Sequence, residues 1–276
     1  MVHDRTYAVA DLVGYVNWAY FLHAWHMPQN NHAATGETRN LQADARRVLD
    51  RLADSMVIRT RVAVLPANAD SDDIVLCLDD ETELRLPMLR QQTPDAEGYC
   101  RCLADYVMPK KKNERDTVGV FATSVASSVP PCQTGDDYEL LLRQTLCDRL
   151  AEAAAERLHE EVRTKLWGYA PAEQLSMAEL HAEKFQGIRP AVGYPSLPDM
   201  SLNFLLDAVL DFSQIGVRLT EHGMMQPHAS VSGLMLAHPQ ARYFAVGRIS
   251  EEQLADYARR RHMAVGTMRK FLAANL

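Results

Sequence analysis

From Tyr138 to Leu166 the chain runs without a Gly or Pro, and Tyr138, Leu142, Leu146, Leu150, Ala154, Leu158, Val162 and Leu166 recur at every fourth position. Leu141 and Thr145 widen the stripe. A 3.6-residue period stacks such a series on one side of a helix, so the spacing predicts a long amphipathic helix whose apolar side has to be covered by the rest of the chain. The residues before it carry the other period. Val57 to Leu65 alternates through Val57, Ile58, Thr60, Val62 and Val64, which predicts a strand, and Ile74 to Leu78 and Leu84 to Leu86 flank an Asp-Asp-Glu-Thr turn as a hairpin. Another strand is expected at Val118 to Thr123. Upstream, Asn40 is placed to cap a helix from Leu41 to about Ser55, with Leu41, Ala45, Val48, Leu49 and Leu52 at helical spacing.

Ser124 to Asp137, rich in Ser and Pro, reads as a loop into a second part of the chain. After the long helix and a Gly/Pro-containing loop (Gly187 to Pro198), a helix is expected from Ser201 to Phe212, stopping near Gly216. Ala229 to Leu236 and Tyr243 to Val246 are expected to pair as strands around the turn His238-Pro239-Gln240-Ala241. Ser250 with Gln253 makes a capping box for a helix from Glu251 to His262, and Thr267 to Ala273 adds a short one. Helices and short strands alternate without regular strand-helix-strand spacing, which points to an α+β fold with a mainly antiparallel sheet. No internal repeat is visible.

With 276 residues, 47% hydrophobic and 24% charged, the chain has the composition of a globular protein that buries a sizeable core. A net charge of -7 with both signs interspersed gives no basic stripe for nucleic-acid phosphates. The N-terminus has charges and a Gly where a secretory signal needs an unbroken apolar run, and no segment has the length and hydropathy of a membrane span, so neither nucleic acid nor membrane is an expected partner and the expected location is cytoplasmic. Five cysteines (Cys77, Cys100, Cys102, Cys132 and Cys147) show no CxxC pairing, and His23 with His26 is read as packing or surface; no metal site is expected.

The common catalytic fingerprints are missing: no glycines are spaced as GxG, the His159 segment is HEEV and not HExxH, and no Ser sits in GxSxG. What stands out is Gly187-Ile188-Arg189-Pro190-Ala191-Val192-Gly193-Tyr194-Pro195, where two glycines and two prolines surround a cation and a phenol. Arg189 offers a planar fork suited to a carboxylate, and Tyr194 a ring with one hydroxyl. By itself the pattern is first of all a structural turn with a surface Arg. On the long helix, Asp148, Glu152, Glu156 and His159 fall at spacings of four, four and three on one face. A solvated helix face is the plain reading of that row, although a row of carboxylates beside a pocket also favours a cationic ligand.

Several segments together resemble the activation domain of vitamin B12-dependent methionine synthase: LRQQT (Leu89 to Thr93), LADYV (Leu103 to Val107), DRLAEAAAERLHEEVR (Asp148 to Arg163), WGYAP (Trp167 to Pro171), FQGIRPAVGYP (Phe185 to Pro195), ASVSG (Ala229 to Gly233), AHPQARYFAVGRI (Ala237 to Ile249) and DYARRR (Asp256 to Arg261). The resemblance implies a single curved α+β domain over 1–276, its parts 1–135 and 136–276 packed as one unit, holding S-adenosylmethionine in an extended groove. Carried over position by position, the donor contacts are Asn17, Glu152, Arg189, Pro190, Ala191, Gly193, Tyr194, Tyr243 and Phe244, and the surface facing a cobalamin domain includes Asp148 and Tyr194. Two positions depart from the family pattern. Asn17 stands before Trp18 where an Asp is expected, and Ser196-Leu197-Pro198-Asp199-Met200 replaces Cys-Pro-Glu-His, so a histidine expected near the corrin is absent. A chain that starts at its own Met and carries no homocysteine, folate or cobalamin module is expected to act in trans, completing an enzyme and turning over nothing alone. The implied partners are a cobalamin-binding synthase chain lacking its own activation domain, with the cobalamin carried by that chain, and a flavodoxin or similar reductase. Two other readings fit the same residues: a diverged scaffold or sensor of this fold, and a reactivator of another corrinoid methyltransferase.

Overall fold

The computed structural model describes residues 1–27, 36–112, 114–127 and 136–276. Its strands are β1 (Val2–Tyr7), β2 (Met56–Asp70), β3 (Asp73–Cys77), β4 (Glu83–Pro87), β5 (Asp116–Ser127), β6 (Arg218–Leu219), β7 (Met225–Gln226) and β8 (Ser230–Met235). The α-helices are α1 (Val9–Leu12), α2 (Trp18–Ala24), α3 (Gly36–Leu52), α4 (Asp137–Glu161), α5 (Met177–His181), α6 (Leu202–Leu210), α7 (Glu251–Arg260) and α8 (Val265–Phe271). The frame is a six-stranded antiparallel sheet in the order β4-β3-β2-β5-β8, with β1 also on β2; β6 and β7 form a separate ribbon. An α+β fold with a mainly antiparallel sheet is what the two sequence periods predict.

The sheet is organised around β2. Met56 to Ala67 pair with β5 along one edge, while the other edge is shared by β1 (Ile58 to Ala63) and β3 (Ala67 to Asp70). Pro66, with no N–H to give, falls between those two partners, so the strand continues through a residue that sequence alone reads as a stop. Period-two alternation sorts the side chains. Ala63, Ala67, Val118, Val120 and Ala122 enter one core with Leu202, Leu206 and Leu210 of α6, whereas Ile58, Val62, Phe121 and Val125 enter the cores under α3 and α4.

Helix α4 lies across that second face. Asp136 caps it, accepting from the N–H groups of Tyr138 (3.1 Å) and Glu139 (3.3 Å), and the apolar stripe is buried from Leu142 to Leu158. Ala153, Ala154 and Ala155 keep the helix slim where it crosses the sheet, and Thr123 Oγ1 donates to Ala151 O at 3.1 Å. The stripe runs on through a π-helical turn at Val162–Leu166, whose first carbonyl, Val162 O, accepts from the N–H groups of both Trp167 and Gly168.

The segment after Gly187 is pinned to β8. Ile188 and Leu236 exchange backbone hydrogen bonds (2.9 and 3.0 Å), Leu234 N–H donates to Pro190 O (3.0 Å), and Val192 N–H donates to Ser232 O (2.9 Å). Gly233 makes this approach possible: a Cβ there would lie 2.2 Å from Pro190 O and 2.8 Å from Ala191 Cα. At the far end, buried Asp199 accepts from Ser201 Oγ (2.8 Å) and Tyr257 Oη (2.9 Å), tying the segment to α7.

Four expectations are corrected. Tyr243 to Val246 is not a strand on β8; its backbone bonds instead to the Gly187 to Pro198 loop, with Phe244 N–H on Ser196 Oγ (3.2 Å) and Val246 N–H on Pro195 O (2.9 Å). Asn40 is no cap, because α3 is already helical at Gly36 and buries Thr38 one turn before Leu41, leaving Asn40 exposed in the helix. At α7, Ser250 Oγ does accept from Gln253 N–H (3.2 Å), but the Gln253 amide bonds Arg90 O instead of closing the box. Of the stretch expected as a loop, Ser124 to Ser127 instead extend β5 in pairing with β2, and Asp136 and Asp137 cap and begin α4; residues 128–135, with Cys132, lie outside the described residues, and Cys77, Cys100, Cys102 and Cys147 are free thiols. Among the described residues no helix is long and apolar enough to cross a membrane, and no group of three His, Cys, Asp or Glu could hold a metal ion.

Candidate ligand-binding site

Five stretches of the chain converge on one cavity of about 550 Å³, within the ordinary range for a small-molecule site. Arg149, Glu152, Ala153 and Glu156 project into it from α4, where spacings of three and four put them on one face beside the apolar stripe. The β8-pinned segment contributes Arg189, Pro190, Ala191, Tyr194, Pro195 and Ser196, and the chain after β8 returns Tyr243 and Phe244. Asn17 and Tyr20 at the start of α2, with Tyr15 before it and Leu180, His181 and Glu183 around α5, complete the wall.

The row on α4 is therefore not a solvated face. Glu156 and Arg189 form an ion pair at 2.9 Å with side chains only 15% and 11% exposed, and the Arg189 guanidinium lies 5.9 Å from the Phe121 ring centroid. Burial works against the Arg189 charge, but Glu156, Tyr243 and Glu152 around it more than offset that and hold its pKa above the ordinary value. The Arg189 backbone N–H donates to Tyr243 Oη at 2.9 Å, so the same tyrosine that lines the wall fixes the start of the loop. Tyr194 Oη donates to Glu152 Oε1, and burial followed by the Glu152 charge raises the phenol pKa. His159, the last member of the row, is fully buried, its Nε2 3.4 Å from Tyr169 Oη; burial and then the charges of Arg163 and Arg189 push its pKa well down.

Asn17 has a second task. Its Oδ1 accepts from the N–H groups of Ala19 (3.1 Å) and Tyr20 (3.3 Å) and so caps α2. Backbone donors demand an acceptor, which fixes the amide orientation and leaves only the NH2 group uncommitted. Gly193 is the one residue of the expected contact set that does not line the cavity; it sits in the turn, where its N–H donates to Leu197 O at 2.9 Å.

Asp148 faces elsewhere. It lines a smaller cavity of about 230 Å³ with Met200, Met224, Met225 and His228, and its Oδ1 lies 3.3 Å from His228 Nδ1. Arg149, Glu152 and Tyr194 line both cavities and form the partition between them. Tyr194 remains 49% exposed there. Of the lining residues not anticipated, Arg149 was within reach of helical spacing, one turn before Glu152, whereas Tyr15, Tyr20, Leu180, His181 and Glu183 belong to no pattern that spacing reveals.

Comparison with known proteins bears on this arrangement. Residues 8–262 match the family model described as vitamin B12 dependent methionine synthase, activation domain. A crystal structure of the MetH reactivation domain bound to AdoHcy superposes with a TM-score of 0.91 at 36% identity, covering 100% of this chain and 90% of that one.

Proposed function

The chain belongs to the vitamin B12-dependent methionine synthase activation-domain family, and on that premise we propose that it binds S-adenosylmethionine in the larger cavity and presents its methyl group to a cobalamin-carrying methionine synthase chain. The observation that carries the reading is the convergence on one cavity of Asn17, Glu152, Arg189, Pro190, Ala191, Tyr194, Tyr243 and Phe244, drawn from four separate stretches of sequence. The solved relative holds AdoHcy, which differs from S-adenosylmethionine by the sulfonium methyl.

The donor set fits such a ligand. Three carboxyl groups (Glu152, Glu156, Glu183) against two guanidinium groups (Arg149, Arg189) give the wall an excess of negative charge that favours a sulfonium in a partly dry site. Arg189 supplies a planar fork for the ligand carboxylate, and the rings of Tyr20, Tyr243 and Phe244 offer apolar faces to an adenine. The bound sulfonium supplies the activated methyl, and this chain's part is to hold it, exclude water from it and orient it. Asp148 and Tyr194 mark the side on which the cobalamin domain docks, with an electron from a flavodoxin or similar reductase completing reductive methylation of inactive cob(II)alamin. In support of one folded unit spanning both halves of the chain, β8 from the second half completes the sheet of the first. The working location is the cytoplasm.

Titration calorimetry with S-adenosylmethionine tests the first step: saturable heat from the isolated protein is expected. No heat and no thermal shift at millimolar ligand would favour the diverged-scaffold reading. For the second step, mixing with a cob(II)alamin-loaded synthase chain, reductant and S-adenosylmethionine should restore methylcobalamin absorbance, and a rate independent of this protein overturns the proposal.

A further inference from the structure

Ser196 is 6% exposed and sits at the edge of the larger cavity, outside the set of contacts that the family resemblance implies. Its Oγ donates to Phe244 O and accepts from Phe244 N–H at 3.2 Å, so one hydroxyl takes both backbone groups of one residue. Neither group has another partner among the described residues. The arrangement stands in for a β ladder. From Ala241 to Ser250 the chain has no strand pairing, and Pro195, which accepts from Val246 N–H at 2.9 Å, has no N–H to give in return. Ser196 supplies the missing donor from its side chain.

The residue held in this way has several neighbours to satisfy. Phe244 packs against both the core that includes α6 and the cluster around α7 and α8, and with Tyr243 it forms one wall of the cavity. Tyr243 is fixed separately, through its Oη on the Arg189 N–H. Gln91, which does not line the cavity, holds the same segment at the next residue: its Nε2 donates to Ala245 O (2.9 Å) and its Oε1 accepts from Arg101 N–H (3.0 Å).

We infer that Ser196 is a positioning residue of the cavity, acting on the ligand through Phe244: by holding both backbone groups it keeps in place the aromatic wall on which the adenosine lies. This rests on the ligand reading proposed above. Without the hydroxyl, Phe244 leaves the wall in a fraction of the molecules, and apparent affinity falls in proportion to the fraction still competent. Excess ligand refills that fraction, so the loss falls on affinity and not on the rate at saturation.

Dissociation constants of S-adenosylmethionine and of 5′-methylthioadenosine, which keeps the adenosine and lacks the amino acid end, are to be measured for the native protein, Ser196→Ala, Ser196→Cys and Gln91→Ala, with urea unfolding of each. Ser196→Ala should weaken both ligands by the same factor, about fivefold to tenfold, as expected for the loss of a neutral hydrogen bond. Single-turnover remethylation at saturating donor should stay within about twofold of native. Ser196→Cys, which keeps a weaker donor and acceptor in nearly the same place, should fall between. Gln91→Ala removes two hydrogen bonds of the same kind and should unfold earlier in urea, yet bind both ligands within about twofold of native. Native affinity in Ser196→Ala, a loss that Gln91→Ala matches, or a loss confined to S-adenosylmethionine overturns the assignment alone. So does native protein that binds S-adenosylmethionine but not 5′-methylthioadenosine, since the wall would then hold no adenosine. Failure of both ligands to bind the native protein overturns the parent reading along with it.

Discussion

The hydroxyl of Tyr194 donates to Glu152 Oε1 across the partition shared by the two cavities. The bond joins the loop to α4. Tyr194→Phe keeps the ring and removes the donor, and because the tyrosine is 49% exposed the cost to stability should stay under about 1 kcal/mol. S-adenosylmethionine affinity should stay within about threefold of native while single-turnover remethylation at saturating donor slows, since positioning of the two reactants is what changes. A large loss of donor affinity would place Tyr194 among the residues that hold the ligand.

Arg189→Ala should weaken S-adenosylmethionine by roughly tenfold to a hundredfold, the loss of a hydrogen bond to a charged group. Saturating donor should largely rescue the remethylation rate. The substitution also strands the Glu156 carboxylate, so calorimetry is to be paired with a denaturation curve, and Arg189→Lys, which keeps the charge without the fork, should bind less tightly than native yet unfold later than the Ala variant. Native affinity in Arg189→Ala would remove the residue from the ligand site.

At position 17 the cap and the cavity can be separated. Asn17→Ala loses the cap and should cost about 1 kcal/mol in urea unfolding, whereas Asn17→Asp keeps an oxygen on the Ala19 and Tyr20 amides. The second Asp oxygen adds a negative charge to the wall, so S-adenosylmethionine should tighten by about threefold to tenfold and uncharged-sulfur S-adenosylhomocysteine by less. Equal effects on both ligands would show that the sulfonium does not sense residue 17.

Buried His159 gives the pH dependence a definite sign. Its folded pKa is held well below the ordinary value of 6.5, so at falling pH the unfolded chain takes up the proton first. Its contribution to stability is complete above pH about 6.5 and is lost as pH drops below that, with a limiting slope of about 1.4 kcal/mol per pH unit for one proton. Urea unfolding between pH 7 and 5 should be steeper for the native protein than for His159→Gln. Parallel pH profiles would mean that His159 takes up its proton at the same pH in the folded and unfolded states.

Legibility in the sequence followed how strongly each element is set by its own residues. Helix α4 buries a stripe at regular spacing from Leu142 to Leu158, and periodicity locates its start to within a residue. The Arg189 to Pro195 loop stands out by its residue types, but its role as a cavity wall depends on pairing with β8, a contact far away in sequence. β1 escapes notice because only Tyr7 among Val2 to Tyr7 is buried, and a strand held by its backbone to β2 shows no apolar alternation. Tyr243 to Val246 shows the opposite case: strand-forming residues whose hydrogen bonds are claimed by Pro195 and Ser196. The carboxylate row was visible, yet only the tertiary fold could turn it from a wet surface into a wall.

The ladder between the loop and β8 also limits how this cavity can diverge. Four backbone hydrogen bonds set Ile188, Pro190 and Val192 in fixed register against Ser232, Leu234 and Leu236, and Gly233 presses against the loop backbone with no room between. An inserted or deleted residue between Gly187 and Pro195 would shift every later side chain by one place along that register, moving Tyr194 off Glu152. Descendants of this chain that take a new ligand are thus expected to change letters and not spacing, with the loop length inherited as an invariant and specificity rewritten on α4 and at Asn17.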